Sequence, residues 1–332
     1  MEWNGLVQEI VETFNKQGCA IIPDFLDQQK VSELLGEASN LLSQLDVTTH
    51  PMTVFSTGTG EEKKHIGDDY FLTSGDKIRY FLEEGAVKIP QSNNSNDGSG
   101  NGEDIKPQLL VPKERAVNKI GHGIHMHSKP FEGITLNEDV RQLAREVGMV
   151  DPLVLQSMLI FKQPEIGGEV PPHQDSTFLY TSPKQSAVGF WFALEDCTLE
   201  NGCLEYLPKS HVVPVTKRMV RNPAGSGTVF IDVASDTVTD RDHPTSSPSN
   251  DAESNDESED LALQRRFGAY VPIPVKRGSL VLIHGNVLHR SKPNLSPDSR
   301  WIYTFHCIDG QYDYDERNWL QPTKESPLTK LF

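Results

Sequence analysis

The residues of this chain best suited to hold a metal are a histidine and an aspartate two positions apart. They are His173 and Asp175, in G-G-E-V-P-P-H-Q-D-S-T-F-L-Y (167–180). On a β-strand alternate side chains share a face, so this imidazole and this carboxylate would point the same way. Two histidines and one carboxylate hold Fe(II) while leaving coordination positions open for other molecules, and the pair supplies two of those three ligands. Alone it is a weak signal, because His-x-Asp recurs by chance in a chain of 332 residues. Candidates for the third ligand lie in R-G-S-L-V-L-I-H-G-N-V-L-H-R-S-K-P-N-L-S-P-D-S-R (277–300). There Ser279–Ile283, an apolar and β-branched run between Gly278 and Gly285, reads as a buried strand ending in a turn. Two histidines follow, His284 and His289, and Arg300 lies eleven positions beyond the second.

His289 is followed by Ser291, Asn294, Ser296 and then Arg300, so the chain carries H-x-D and, far downstream, H-x-S-x-x-N-x-S with a trailing arginine. This pattern resembles the phytanoyl-CoA dioxygenase family of Fe(II)/2-oxoglutarate oxygenases. Further segments narrow the likeness to the phytanoyl-CoA dioxygenase domain-containing members: N-K-I-G-H (118–122), Q-S-M-L-I-F-K-Q-P (156–164), E-D-C-T-L-E-N-G-C-L (195–204), L-P-K-S-H (207–211) and N-W-L-Q-P-T (318–323). It runs from about residue 3 to the C-terminus, two insertions apart.

The resemblance implies an α+β, mainly β fold: a double-stranded β-helix, the cupin-like jelly roll, braced by N-terminal helices. It makes His173, Asp175 and His289 the catalytic metal ligands. His284, at the end of the strong strand, stands off the family's ligand position. Fe(II), O2 and 2-oxoglutarate are the implied cofactor and cosubstrates. Arg300 would hold the far carboxylate of 2-oxoglutarate, since a guanidinium binds a carboxylate through two parallel bonds. Ser291 would add a hydroxyl there, and Lys119, Met158 and Trp191 would line the same pocket. The implied activity is hydroxylation of an aliphatic carbon with release of succinate and CO2. Related halogenases carry a small residue where this chain has Asp175, so hydroxylation is expected. The primary substrate is an unidentified small molecule, with acyl or lipid-like compounds among the candidates. One alternative is phytanoyl-CoA 2-hydroxylase proper, for which Lys217, Arg218 and Arg221 are weak evidence of a CoA phosphate site. Another is a metal- and 2-oxoglutarate-binding sensor or scaffold without turnover.

Several elements must position these residues. A helix is expected over 7–16, a short strand over Cys19–Pro23, and a helix capped by Asp27 with Val31, Leu34, Leu35, Ala38, Leu41, Leu42 and Leu45 as its core stripe. A further helix runs from the N-cap Asn137 to Val147, with Gly148 just past its end. Strands are expected over Leu153–Phe161, Gln174–Tyr180, Ala187–Leu194, Gly202–Leu207, Tyr270–Pro274, Ser279–His284 and Arg300–Ile308, with a hairpin-type turn at Glu200-Asn201-Gly202. Helices first and short strands later suit a sandwich or barrel with helices on one side. A single domain over 1–332 is expected: helix-rich support to 150, the β-helix core over 151–310 and a tail over 311–332. Two segments, 91–104 and 232–260, have too little apolar content to order themselves and read as disordered insertions. His125 and His127 form an H-x-H pair but read as packing and hydrogen-bonding residues, and His243, in the second insertion, is not expected to be a ligand. His211 reads as structural. At 209 a lysine stands where the family more often has glycine, so a different local turn is expected there.

Composition bounds what else the chain can do. The net charge of −16 is concentrated: residues 232–260 hold ten Asp/Glu against one Arg. An acidic balance argues against non-specific nucleic-acid binding, which needs cationic surface to neutralise phosphates. No apolar run is long enough to span a membrane, and no basic-then-apolar leader opens the sequence. The C-terminal T-K-L-F is not a peroxisomal S-K-L. Four scattered cysteines, Cys19, Cys197, Cys203 and Cys307, suit reduced thiols. These features lead us to expect a cytoplasmic monomer acting on a small molecule, with neither nucleic acid nor membrane as partner.

Overall fold

The run V-G-F-W-F-A (188–193) sends alternate side chains to two destinations. Val188, Phe190 and Phe192 pack into one apolar cluster, Trp191 and Ala193 into another. A strand buried on both faces needs a layer on each side. The computed structural model, which describes residues 3–55, 68–88, 107–236 and 256–332, supplies both layers.

The strands that form two facing sheets are β1 (Cys19–Ile22), β2 (Ile78–Glu83), β3 (Val117–His122), β4 (Pro152–Lys162), β5 (Val170–His173), β6 (Val188–Ala193), β7 (Leu204–Tyr206), β8 (Val271–Ile273), β9 (Leu280–His284), β10 (His289–Ser291) and β11 (Arg300–Asp309). The large sheet is ordered β1-β9-β6-β11-β4-β3-β2, with Val54–Phe55 parallel to β2 at its edge and Thr329–Lys330 paired to the start of β4. The small sheet is ordered β8-β7-β10-β5. Between them lie Trp191, Ala193, Val281, Ile283 and Ile302 from the large sheet, with Leu204 and Ile273 from the small one. This is the expected double-stranded β-helix.

The helices brace the outer face of the large sheet. In α1 (Trp3–Gln17) the inward residues are Val7, Ile10 and Phe14, and in α2 (Gln28–Ser43) they are Val31, Leu34, Ala38, Leu41 and Leu42. In α3 (Glu138–Glu146) they are Val140, Leu143 and Ala144. All join one core with Phe190, Phe192, Leu280, Leu282, Tyr303 and Phe305. The caps follow the sequence: the Asp27 carboxylate accepts from the Lys30 amide at 2.7 Å, the Asn137 side chain accepts from the Asp139 amide at 2.7 Å, and Gly148 has φ of +93°.

Four expectations need correction. The strand placed over Gln174–Tyr180 is absent: β5 stops at His173 and Asp175–Thr177 forms a 3-10 turn. The Ser176 amide bonds Gly285 O at 2.9 Å and the Phe178 and Leu179 amides bond back to Asp175 O, so local turns replace a ladder. The Glu200–Gly202 turn exists, with Gly202 at φ of +75°, but it is no hairpin, because β6 and β7 lie in different sheets. The second insertion is not unstructured throughout: Val233–Asp236 and Asp256–Phe267 are helical, and the latter places Leu263 and Phe267 against Leu207, Tyr270 and Leu288. Lys209 keeps a glycine-like turn, with φ of 67° in the left-handed region. Residues 91–104, and 237–255 with His243, lie outside the described residues.

Candidate metal centre and cosubstrate pocket

Register, not sequence proximity, assembles the site. The antiparallel pairing of β10 with β5 sets His289 directly opposite His173. Cross-strand partners in such a pair are close neighbours, and the two imidazole centroids lie 4.1 Å apart. Asp175 arrives from the 3-10 turn, with Oδ1 at 3.7 Å from His173 Nε2 and 3.8 Å from His289 Nε2. One ligand atom from each of the three residues lies within 4.8 Å of the other two, close enough for one ion to touch all three. His284 takes no part. Its Nδ1 accepts from the Asn286 amide at 3.0 Å and its ring packs against Phe14 and His211.

Both histidines present the same nitrogen inward for the same reason. His173 Nδ1 donates to Pro171 O at 2.9 Å, and His289 Nδ1 donates to Val287 O at 3.0 Å. A carbonyl two residues back thus holds the proton on Nδ1, leaving the Nε2 lone pair toward the centre. Burial, followed by the charge of His289, pushes His173 down to about 4, which favours the neutral, ligating form. Burial works against ionisation of Asp175, but His306, His289 and His173 together hold its carboxyl well below the usual range. The side chain of His173 is 24% exposed, against 12% for Asp175 and 8% for His289, so the site opens on its side.

The inner face of the large sheet forms a ladder leading away from this centre. Register places Gly189, His306 and Gln156 in one row, then Val281, Trp191, Thr304 and Met158. Next come Ala193, Ile302, Ile160 and Lys119, and finally Arg300 beside Lys162. Met158, Trp191, Lys119 and Arg300 therefore share one face, and Ser291 shares the inner face of β10 with His289. Arg300 is buried; its Nη1 donates to Gly202 O at 2.9 Å, its Nε has no partner among the described residues, and its guanidinium lies 5.7 Å from the Trp191 ring centroid. Among the described residues no side-chain carboxylate pairs with it. Lys119 Nζ sits 3.4 Å from the Phe55 ring centroid, with Phe71 and Phe81 nearby, and burial pushes it down to about 7. Lys162 Nζ donates to Gly168 O at 2.8 Å and to Lys292 O, and burial with the charge of Arg300 pushes it down to about 6. His306, Thr304 and Lys162 escaped the sequence reading. Counting by twos back and forth from Arg300 along β11 finds the first two, because 300, 302, 304 and 306 share a face.

The remaining basic and histidine candidates are structural. His125 Nδ1 pairs with Ser157 Oγ at 2.7 Å and His127 Nε2 donates to Asp76 O at 2.7 Å. His211 Nε2 donates to Asn15 O at 3.1 Å. Arg218 is fully buried and bonds Asp315 at 2.6 Å, while Arg221 bonds Trp319 O and Leu72 O, each at 2.9 Å. Those two guanidiniums are spent inside the fold, so two of the three basic residues weighed for a CoA phosphate are already engaged. They instead tie the hairpin Lys217–Arg221/Thr228–Asp232 to the N-W-L-Q-P-T segment, whose Asn318 also bonds Tyr180 O at 2.9 Å.

The donor set fits a divalent iron: two imidazole nitrogens and a carboxylate, with a buried cation on the same inner surface suited to an organic dianion. The phytanoyl-CoA dioxygenase (PhyH) family model matches residues 14–302. Phytanoyl-CoA dioxygenase domain-containing protein 1 of Bos taurus is 40% identical over 326 residues, covering 97% of each chain. The protein of the same name in Danio rerio is 38% identical over 329 residues, covering 98% of this chain and 99% of its own. Among solved structures, the alpha-ketoglutarate-dependent carbocyclase SnoK has a TM-score of 0.58 at 16% identity, covering 99% of this chain and 98% of its own. EctD from S. alaskensis, solved with 2-oxoglutarate and 5-hydroxyectoine, has a TM-score of 0.57 at 16% identity, covering 97% of this chain and 84% of its own. Those two likenesses are of fold. The near-complete match in sequence goes further, and with it the chain belongs to the phytanoyl-CoA dioxygenase family of 2-oxoglutarate-dependent non-haem iron oxygenases.

Proposed function

We propose that this protein hydroxylates an aliphatic carbon of a small, partly apolar molecule, with His173, Asp175 and His289 holding iron and Arg300 anchoring 2-oxoglutarate. The observation that carries the proposal is the convergence of His173 Nε2 and His289 Nε2 on Asp175 Oδ1, at 3.7 and 3.8 Å. Bound there, iron with 2-oxoglutarate and O2 supplies the oxidising power that turns a C–H into C–OH while 2-oxoglutarate leaves as succinate and CO2. The chain's own residues do the rest. The two imidazoles are fixed by backbone carbonyls with Nε2 inward, and Asp175 neutralises part of the metal charge. Trp191 and Met158 exclude water from the space beyond. Arg300 holds a carboxylate at the buried end, with Ser291 on the facing sheet to add a hydroxyl.

The substrate side is apolar. Phe178 leans edge-on toward His173 (centroids 6.1 Å, 68°), and Phe230, 56% exposed, leans edge-on toward Phe178 (6.2 Å, 78°). An exposed aromatic at the open side of a metal site favours a substrate with aliphatic surface.

The test begins with anaerobic Fe(II) and 2-oxoglutarate, followed by air. Wild-type protein should develop a visible metal-to-cosubstrate band and then form succinate, and Asp175→Ala should do neither. A band without succinate would favour a sensor, and absence of both would end the oxygenase reading. Comparing metabolite extracts treated with active protein and with Asp175→Ala should reveal one compound that gains a single oxygen only with the former.

A further inference from the structure

The geometry points to His306 as a positioning residue that holds the second oxygen of Asp175 and so keeps that carboxylate bound to the metal through one oxygen only. This rests on the oxygenase reading above. His306 Nε2 lies 3.3 Å from Asp175 Oδ2, close to but off the line of an ideal hydrogen bond, and among the described residues that buried oxygen has no other partner. Oδ1 faces the two ligand histidines, so the carboxylate is divided between two environments. The surroundings of the His306 ring are built for this contact. On one side stands Gly189, its register partner, where a Cβ would come within 3.3 Å of His306 Nε2. On the other stands Gln156, whose Nε2 is 3.3 Å from His306 Nδ1. An amide donor at Nδ1 places the imidazole proton on Nε2, toward Asp175; the opposite tautomer would set a lone pair against the carboxylate. Without His306, Asp175 would be free to swing its second oxygen onto the metal and fill a position that the cosubstrates need.

The experiment uses the full chain, with Fe(II) affinity measured anaerobically and the band recorded on adding 2-oxoglutarate. His306→Phe should bind Fe(II) ten- to a hundredfold more weakly, the usual range for lost outer hydrogen bonds, and its band should shift. His306→Gln, which can still donate to Oδ2, should recover affinity to within a few-fold of wild type. Gly189→Ala, which crowds the ring without removing it, should move affinity and band in the same direction as His306→Phe. It decides the matter should the phenylalanine variant not fold. A folded His306→Phe or Gly189→Ala protein with wild-type affinity and band overturns this role alone. A wild-type protein that binds no Fe(II) overturns the oxygenase reading and this role with it.

Discussion

A guanidinium that gives one nitrogen to a carbonyl and meets no carboxylate keeps donors in reserve. Arg300 is in that position: it is buried and, among the described residues, bonds Gly202 O and pairs with no carboxylate. A charge-assisted hydrogen bond is worth roughly 1.5–3 kcal/mol, so Arg300→Ala should weaken 2-oxoglutarate by about one to two powers of ten, read as the midpoint of the anaerobic band. Fe(II) affinity should be little changed. Lys119 poses the opposite case, an amine whose nearest neighbours are rings. Its value in the fold, about 7, lies below the 10.5 of a free lysine because burial disfavours the charge. Between those two values the unfolded chain carries the extra proton, so stability should rise as pH increases from about 7 to 10. Below 7 the cost of the buried charge is fully present. Lys162, pushed down to about 6, adds a slope of the same sign, so Lys119→Met should reduce the rise and leave the share of Lys162, checked by denaturant titration of the metal-free protein at pH 7 and pH 9.5.

At the scale of elements, the helices were legible and the turns were not. Asp27 and Asn137 announce their helices because a cap is a local bond that the sequence states directly. Leu34, fully buried on α2, belongs to a stripe with one meaning, and Leu34→Ala should cost about 2–5 kcal/mol in urea unfolding. Strand β3 was missed because V-N-K-I-G-H mixes Asn, Lys and His into a segment paired on both sides, and only the tertiary pairing with β2 and β4 makes it a strand. Asp175 was placed on the correct side for an incomplete reason. Two-residue alternation suggested a shared face, but the 3-10 turn tied to Gly285 O delivers it. The His173, Asp175 and His289 cluster was readable because its residue types are rare and their order is distinctive. His306 was not, since a lone histidine on a strand gains meaning only once register sets it beside Asp175. Lys209 illustrates a turn that outlasts its usual residue. An exposed lysine at φ of 67° costs roughly 1–2 kcal/mol, part of which glycine returns through its freer unfolded chain. Lys209→Gly should therefore raise stability by about 0.5–1 kcal/mol by chemical denaturation, while Lys209→Ala should give no such gain.

The whole molecule is a set of long-range pairings. The large sheet takes strands from both ends of the chain, β1 beside β9 and Thr329–Lys330 beside β4, and Leu331 is wholly buried in the core that α1 and α2 share. Contacts so distant in sequence form late, after the entropy of closing large loops has been lost. The acidity of the chain is equally uneven. Much of the net charge of −16 falls in the single stretch 232–260, and net charge of this kind bears on solubility rather than on fold.

The pairing of His289 with His173 joins positions 173 and 289 across the small sheet, and Asp175 adds the segment anchored at Gly285. An ion gripped by all three would act as a clasp between two stretches that otherwise meet through short ladder bonds, the Ser176 amide on Gly285 O and the Gln174 side chain on Asn286 O. At a hundred times its dissociation constant, such an ion contributes about 2.7 kcal/mol to the folded state. Chelation should thus lower the melting temperature and speed amide exchange first over 170–177 and 285–291, while α2 exchanges as before. Iron scarcity would then shorten the life of this protein as well as silence it.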